Sequence, residues 1–542
     1  MNSTRFVRTM NSTRSSRNLY LLPRWFAVAA MALALLAGAN VRGTDQYWTN
    51  SSGGTFSDAN NWDAGAPGST DQAFFTNAAT YQVTLSATTT DYPLVVNNGA
   101  VTFNLNSYTW NVGNANNTLG SRIYSNANVT ISSSAGGGTL NLGTGNNQYP
   151  IIAGKLQIND SLGSPVTVVL NDARVPLDGT YTNGITKGGQ VVVSGSGTVF
   201  RMVNPYQMVW EGQVLVTNKA LFEITTAYPA GNVFVGYKDN SSATGSLVVA
   251  NAALHTTKGL DVNKGNGYGI VSLSDHATWT NDAGELIFGE SSTSTAKFEM
   301  DQSSLVTPNL YIGGYWASTI PGRADVLNGS SITASKLLQV SAFSSQTNML
   351  VLNDSTIKLG GGATAGALTN RGLIRANGTI EGLGSSRALV RSENLLEIGG
   401  SLGTLVLTNA NLELAAGSKT LFEFSNTGLD SILINGGGVA SMLGSNLFSL
   451  ASGSTTPSGP GWGLGVYNFL VGSNLTYSPQ SDNLVSLLTG YGLVQNTDYT
   501  YGVVDFGGGL QALQLSFPIP EPSAMLLVAL GGWLVWRRRA RR

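Results

Sequence analysis

The sequence predicts an all-β fold: a parallel right-handed β-helix, in which the chain winds as a solenoid of about 25 residues per coil. A group of three short apolar strands recurs through the middle of the chain. Gly, Ser, Thr and Asn separate these strands, with 67 glycines and only 11% charged residues in the whole sequence. Both ends carry apolar segments of another kind, which we interpret as a signal peptide and a short C-terminal membrane helix.

The repeat is clearest between residues 233 and 359, where the first strands of successive copies begin 27, 26, 24 and 27 residues apart. First strands begin at Val233, Leu260, Leu286, Leu310 and Leu337, second strands at Leu247, Val271, Phe298, Asp325 and Leu350, and third strands at Leu254, Thr278, Leu305, Ile332 and Ile357. Weaker copies begin at Val168, Val191, Val214 and Leu405. One coil cannot bury its own apolar side chains, so the coils are expected to stack around a continuous core.

Within a coil, strict alternation predicts which side chains face the core. Val271, Leu273 and Trp279 are expected to point inward, and Ser272 and Thr280 outward. Between the second and third strands, Asn and Asp residues are expected to adopt the left-handed backbone of a tight corner, and the asparagines to hydrogen-bond along the stack. These corner residues are Asn251, Asp275, Asn328, Asn353 and Asp354.

Composition and pattern divide the chain into five segments. They are a signal peptide (1–39), an N-terminal capping β region (40–120), the β-helix repeats (121–415), a C-terminal β region (416–517) and a sorting and anchor segment (518–542). The capping region is rich in aromatic residues, among them Trp48, Phe56 and Trp62, which are expected to cover the open end of the first coil.

The N-terminus has the order of parts of a secretory signal. Five arginines and no acidic residue precede an apolar, alanine-rich run from Trp25 to Ala37. Ala37-Gly38-Ala39 then supplies the small residues that a signal peptidase reads. The apolar run is shorter than the ~20 residues of a spanning helix, which favours a cleaved signal over an uncleaved anchor.

The C-terminus combines a proline-rich motif, an apolar segment and a basic end. Pro520, Glu521 and Pro522 form the motif. The proposed membrane anchor consists of Ala524, Met525, Leu526, Leu527, Val528, Leu530, Trp533, Leu534, Val535 and Trp536, and the stop-transfer residues are Arg537, Arg538, Arg539, Arg541 and Arg542. Arginines beside an apolar segment stay on the cytoplasmic side, so the body of the protein would lie outside.

This tail resembles the PEP-CTERM sorting signal of bacterial exported proteins. The opening of the mature chain, from Tyr47 to Leu85, resembles exported proteins with autotransporter-associated β-strand repeats. The resemblance implies that signal peptidase and an exosortase-type enzyme process the chain, with Pro520, Glu521 and Pro522 as the recognised motif. It also implies a membrane anchor before processing, then a cell-surface or extracellular location, and an association with exopolysaccharide.

Composition excludes several classes of function. The whole sequence has 29 basic and 30 acidic residues, of which ten basic residues and one acidic residue lie in the two terminal segments. Residues 40–517 therefore hold 19 basic and 29 acidic residues, a net charge near −10. Such a body is not expected to bind nucleic acid, which requires clustered positive charge. The absence of cysteine excludes disulfides, cysteine-ligated zinc and cysteine nucleophiles.

The inventory of catalytic residues is small. His255 and His276 have no evident acidic companion other than Asp275, and Gly399-Gly-Ser401-Leu-Gly403 precedes a strand where a nucleophile elbow requires a helix. Asp275, Asp301 and Asp325 are isolated near turns, where backbone bonding explains them. Trp316 is a candidate for stacking on a sugar ring. No catalytic residue, metal site or cofactor is predicted.

The sequence therefore favours a non-enzymatic, exported structural or adhesive solenoid, with a glycan or another matrix component as partner. The alternative is a carbohydrate-active β-helix enzyme, either a polysaccharide lyase or a glycosidase. Such an enzyme would bring carboxylates together from neighbouring coils, and sequence spacing alone would not reveal them.

Overall fold

The computed structural model divides the chain into two compact units, Met1–Gly43 and Thr44–Arg542. The structure describes residues 43–517 except 92, 114–119, 144–149, 172–183, 186–187, 204–207, 226–232, 237–243, 263–266, 290–294, 314–321, 343–347, 362, 364, 400–401, 426–427, 443–446, 451–464, 477–494 and 498, together with residues 530, 533, 536 and 539.

The predicted all-β solenoid is confirmed: successive turns of about 26 residues stack as parallel strands. Over the described residues most strands form three ladders, called A, B and C here, and a complete coil contributes a strand to each of them. A strand pairs with the equivalent strand of the coil before it and of the coil after it. The backbone polar groups of each coil are therefore satisfied by its neighbours, which individual short strands cannot achieve.

Ladder A contains the predicted second strands. Its members are Gly54–Thr55, Thr80–Thr84, Gly99–Asn104, Ala127–Ser132, Lys155–Asn159, Gln190–Ser194, Gln213–Thr217, Thr244–Ala250, Tyr268–Ser274, Thr295–Asp301, Gly322–Leu327, Met349–Leu359, Leu373–Gly382, Leu395–Ile398, Lys419–Phe422 and Leu447–Leu450.

Ladder B contains the predicted third strands. Its members are Thr89–Asp91, Thr109–Val112, Thr139–Leu142, Thr167–Asn171, Val199–Val203, Leu221–Thr225, Ala253–Thr256, Thr278–Asn281, Ser304–Ile312, Ser331–Val340, Thr404–Thr408, Ser431–Asn435 and Gly465–Gly472. The second halves of Met349–Leu359 and Leu373–Gly382 also pair here, because these strands turn the corner without a break.

Ladder C contains the predicted first strands. Its members are Asp45–Tyr47, Gln72–Phe75, Leu94–Val96, Arg122–Ile123, Ile151–Ile152, Gly184–Ile185, Met208–Trp210, Val233–Val235, Gly259–Val262, Glu285–Phe288, Ala367–Asn370, Ala388–Ser392, Ala410–Leu414, Val439–Met442 and Asn474–Thr476. The second halves of Ser304–Ile312 and Ser331–Val340 join this ladder.

Antiparallel pairing marks the C-terminal end of the solenoid. Leu510–Phe517 pairs antiparallel with both Gly465–Gly472 and Thr500–Gly507. A small hairpin joins Phe424–Ser425 to Gly428–Leu429. In the first coil, a 3-10 turn at Ala59–Asn61 begins with Asp58, whose side chain accepts a hydrogen bond from the backbone N–H of Asn60.

The core follows the predicted alternation. Val271, Leu273 and Trp279 are buried, whereas Ser272 and Thr280 lie on the outer surface. Equivalent inward positions meet between coils, so that Val271 lies beside Phe298. Complete burial of one such side chain contributes about 1.5–3 kcal/mol. Because the column is continuous, each coil depends on its two neighbours for that burial.

Aromatic side chains fill the first coils. Trp48 and Trp62 are buried and meet edge to face, with ring centroids 5.1 Å apart. Phe56 packs against both Trp62 and Trp110. These large rings cover apolar surface at the N-terminal end of the described column.

The corner between ladders A and B has the expected left-handed backbone. Asn251, Asp275 and Asn328 have φ angles of 47°, 54° and 55°. In the next coil the left-handed residue is Asp354, with φ 47°, and not Asn353. Instead, Asn353 accepts a hydrogen bond from Asn377 Nδ2 at 3.2 Å, one of the predicted asparagine contacts between coils.

Three of the predicted strand starts are out of register with their neighbours by one residue. Leu310 pairs with Leu338, not Leu337, Phe298 pairs with Ala324, not Asp325, and Leu254 pairs with Trp279, not Thr278. The first offset arises at an irregularity after Thr307, where one residue separates the paired segments on one strand and two separate them on the other. Because side chains alternate, Leu338 is buried and Leu337 lies nearer the surface.

Candidate functional site

The predicted C-terminal sites lie almost entirely outside the described residues. This holds for Pro520, Glu521 and Pro522, and for the anchor and stop-transfer residues other than Leu530, Trp533, Trp536 and Arg539. These four are helical and exposed. Within the part of the chain that the structure describes, no helix is long and apolar enough to cross a membrane.

His255 has acidic partners that the sequence did not reveal. Its Nε2 atom lies 2.8 Å from Asp282 Oδ2, and its Nδ1 atom lies 3.7 Å from Glu223 Oε1. Glu223 also forms an ion pair with Arg201 at 2.5 Å. These residues come from neighbouring coils at the outer surface of ladder B, so both ring nitrogens face carboxylates, and one of these carboxylates is also paired with Arg201. His276 lies apart, at an A–B corner, with φ 62°.

The three predicted acidic candidates do not converge. Asp275 and Asp301 are exposed at A–B corners, where Asp301 accepts a hydrogen bond from Asn328 Nδ2 at 2.9 Å. Asp325 lies on the outer face of ladder A, and Arg323 Nε donates to both of its carboxylate oxygens at 2.8 and 2.9 Å. Among the described residues, no group of three His, Asp or Glu side chains is arranged to hold a metal ion.

The structure instead brings Glu299 beside Asp325, on adjacent rungs of ladder A. Each carboxylate is paired with a cation on its own strand: Lys297 contacts Glu299, and Arg323 contacts Asp325. The hydrogen bond to Glu299 raises the pKa of Lys297 above its usual value. Two carboxylates and two cations therefore form one surface cluster, which residue spacing alone did not indicate.

Two remaining sequence candidates add no site. The strand Thr404–Thr408 follows Gly399-Gly-Ser401-Leu-Gly403, as expected for a turn, and Ser401 itself lies outside the described residues. Trp316 also lies outside them.

A groove of about 600 Å³ runs along the corner where ladder C leads into ladder A. It crosses five successive rungs of ladder A, which begin near Ala127, Lys155, Gln190, Gln213 and Thr244. Glycines at the start of several of these strands leave its floor without side chains. They are Gly154, Gly188, Gly189 and Gly212.

One wall of the groove carries a polar side chain on every rung. Strand register aligns these residues one above another, and we call them the polar row. The polar row consists of Asn128, Lys155, Gln190, Gln213 and Ser246. Gln190 Nε2 donates to Gln213 Oε1 at 2.7 Å. A carboxamide has two hydrogens to donate and accepts at its oxygen, so this bond leaves both residues with further capacity.

A second row of outward-facing side chains lies beside the polar row. Val192, Leu215 and Val248 are aligned in register and partly exposed, and we call them the aliphatic row. Each lies two residues beyond a member of the polar row, which corresponds to about 7 Å along the strand. The surface therefore offers hydrogen-bonding groups and apolar contact side by side.

Sequence reasoning missed this site, although a signal for it exists. Strands at the groove open with a glycine followed by a polar residue, as in Gly154-Lys155, Gly189-Gln190 and Gly212-Gln213. In the sequence alone these glycines only separate one strand from the next. The recurrence becomes meaningful once the register shows that the polar residues share one face.

No protein-family model matches the chain, and no curated protein is significantly similar to it.

Proposed function

We propose that this protein is an exported, surface-sorted structural or adhesive solenoid that associates with extracellular polysaccharide. The proposal takes the solenoid to be right-handed, the hand that parallel crossover connections nearly always adopt. The body acts as a long, rigid surface that makes many weak contacts, and it does not catalyse a reaction.

The observation that carries the proposal is the polar row beside the aliphatic row. Sugar rings present hydroxyl groups at their edges and C–H groups on their faces. Carboxamides such as Gln190 and Gln213 both donate to and accept from hydroxyls, and aliphatic side chains such as Leu215 pack on C–H faces. The groove beside the rows is open along several coils, as a polymer requires.

Sorting to the surface is supported by the sequence of both ends. Signal peptidase removes the N-terminal signal after Ala39 or close to it. The apolar segment and the arginines hold the chain transiently in the membrane, and an exosortase-type enzyme then recognises Pro520, Glu521 and Pro522. The solenoid is released to the cell surface or the extracellular matrix.

A specific observation favours one alternative, a carbohydrate-active enzyme. Glu299 and Asp325 lie on adjacent rungs with Lys297 and Arg323 beside them. Paired carboxylates perform acid–base work in glycosidases. Here each carboxylate already has a cationic partner on its own strand, which favours a structural ion-pair cluster.

Two measurements test the proposed function. Mass spectrometry of the surface form is expected to find neither residues 1–39 nor the arginines 537–542; detection of Arg542 on that form contradicts processing. Sedimentation of the purified protein with insoluble polysaccharide is expected to show binding without release of reducing ends or unsaturated products. Sustained turnover would establish the enzyme instead, and failure to bind any polysaccharide would refute the adhesive role.

A further inference from the structure

We infer that the groove beside the polar row binds a neutral, extended polysaccharide whose chain runs parallel to the solenoid axis, with about one sugar unit per rung. The inference deepens the proposed function and rests on it. It assigns a ligand class, an orientation and a length to a site of five rungs, from Asn128 to Ser246.

The orientation follows from the spacing of the rungs. Paired strands lie about 4.8 Å apart, so the groups of the polar row recur at that interval along the axis. This interval is close to the length of one pyranose unit in an extended, equatorially linked glycan. Successive sugars along the groove therefore meet successive members of the polar row, and a chain lying across the ladders would meet only one.

The length follows from where the polar row ends. On one side, Asn128 pairs with Ala100, and on the other, Ser246 pairs with Ile270. Neither Ala100 nor Ile270 offers a polar side chain. Beyond Ile270 the same row becomes cationic, with Lys297 and Arg323. A ligand that uses the whole site therefore spans about five sugar units, since rungs and sugars have similar spacing.

The ligand class follows from charge. Among the described residues lining the groove, the charged side chains are Lys155 and Glu211, which have opposite signs. The remaining polar contacts are amides and hydroxyls, which match neutral hydroxyl groups. A uronic acid polymer would bring a repeated negative charge to a groove without a matching row of cations.

The aliphatic row supplies the apolar part of the contact. Val192, Leu215 and Val248 are only partly exposed and form a low surface within about 7 Å of the polar row, which is comparable to the width of a pyranose ring. Flat, equatorially substituted sugars such as β-linked glucose expose C–H groups on both faces. The two rows together therefore favour a β-linked neutral glycan.

Titration calorimetry of the full chain with cello-oligosaccharides tests the inference. The series runs from the disaccharide to the octasaccharide, with alginate oligosaccharides as the anionic comparison. Affinity is expected to rise with chain length and to level off near the pentasaccharide. The double variant Gln190→Ala/Gln213→Ala is expected to weaken pentasaccharide binding about tenfold (about 1.4 kcal/mol).

Gln339→Ala is the matched control, since Gln339 lies on the outer face of ladder C. Its pentasaccharide affinity should equal that of the unaltered chain, and circular dichroism should show that all variants are folded. Unchanged binding by the double variant overturns the groove assignment, and so does tighter binding of alginate.

The outcomes separate this inference from the broader proposal. If the double variant Gln190→Ala/Gln213→Ala sediments with insoluble polysaccharide as well as the unaltered chain does, the groove assignment is refuted and the adhesive function stands. If the unaltered chain binds no polysaccharide, both proposals are refuted.

Discussion

Replacement of Asp91 by asparagine is expected to change how the stability of the N-terminal coils depends on pH. Asp91 is fully buried in ladder B, and Trp110 Nε1 donates a hydrogen bond to its Oδ2 atom at 2.6 Å. Its Oδ1 atom has no hydrogen-bond partner among the described residues. Burial raises the pKa of Asp91 from 3.8 to about 8, against the opposing effect of the Trp110 bond, and nearby Asp71 raises it slightly further.

The direction of the pH effect follows from this pKa. The folded protein holds the Asp91 proton up to about pH 8, whereas the unfolded chain releases it near pH 3.8. Between these values the folded state binds more protons than the unfolded state, so stability falls as pH rises. The contribution is complete below pH 3.8 and is lost as pH passes about 8.

The magnitude follows from the difference between the two pKa values, about 4 pH units, at 1.36 kcal/mol each. This gives an upper limit of about 5 kcal/mol. Relaxation of the surroundings and entry of water reduce the effect, so a loss of about 2–4 kcal/mol is expected. The introduced carboxamide would be neutral throughout and would keep an acceptor for Trp110. The Asp91→Asn variant should therefore match the unaltered chain near pH 4 and exceed its stability above pH 8.

Urea unfolding followed by tryptophan fluorescence across this pH range measures the effect, and hydrogen exchange locates it in the strands around Trp110. Asp301→Asn is the control, because Asp301 is exposed. Its pH profile should follow that of the unaltered chain. Parallel profiles for Asp91→Asn and the unaltered chain would show that burial does not perturb this carboxyl group, and the reasoning would fail.

Three further outcomes are expected from urea and thermal unfolding. Leu273→Ala should destabilise the solenoid by about 2–5 kcal/mol because it leaves a cavity in the core. Ser272 faces outward beside it, and Ser272→Ala should change stability by less than about 0.5 kcal/mol. Equal effects of the two substitutions would contradict the assigned faces. Asn251 has a φ of 47°, so Asn251→Val should lower the free energy of unfolding by about 1–2 kcal/mol, whereas Asn251→Gly should leave it nearly unchanged. An unchanged stability of the valine variant would contradict the left-handed corner. Arg375→Ala should cost less than about 1 kcal/mol and lose its effect in high salt, because its 3.0 Å ion pair with Glu397 is partly exposed; a larger, salt-independent loss would indicate a packing role.

The sequence predicts the solenoid because each coil repeats the same local pattern of alternating strand residues and a corner residue. Alternation at Val271, Ser272 and Leu273 sets the inward face, and a tolerant residue such as Asn251 sets the corner. Both signals are local, so they can be identified without knowledge of neighbouring coils.

Contacts between coils depend on coil length, which varies. Between Leu156 and Val191 the chain advances 35 residues, and between Val191 and Val214 it advances 23. Register therefore cannot be read from a fixed period. One extra residue between Ala334 and Leu337, opposite the irregularity after Thr307, is enough to place Leu338 where Leu337 was expected. The same uncertainty concealed the carboxylate partners of His255.

The groove was missed for the same reason. Gln190 and Gln213 become members of one row only when the register is known. The surface cluster that includes Glu299 also required the register. Properties of a single coil are therefore predictable from the sequence, whereas surfaces built across coils require the structure.

A crystal structure of the mature protein soaked with cellopentaose tests most directly whether ladder A is a polysaccharide-binding face. We expect sugar density along Asn128 to Ser246, with the chain parallel to the solenoid axis and Gln190 and Gln213 bonded to successive units. Density on another face, or a chain lying across the ladders, would contradict the assignment.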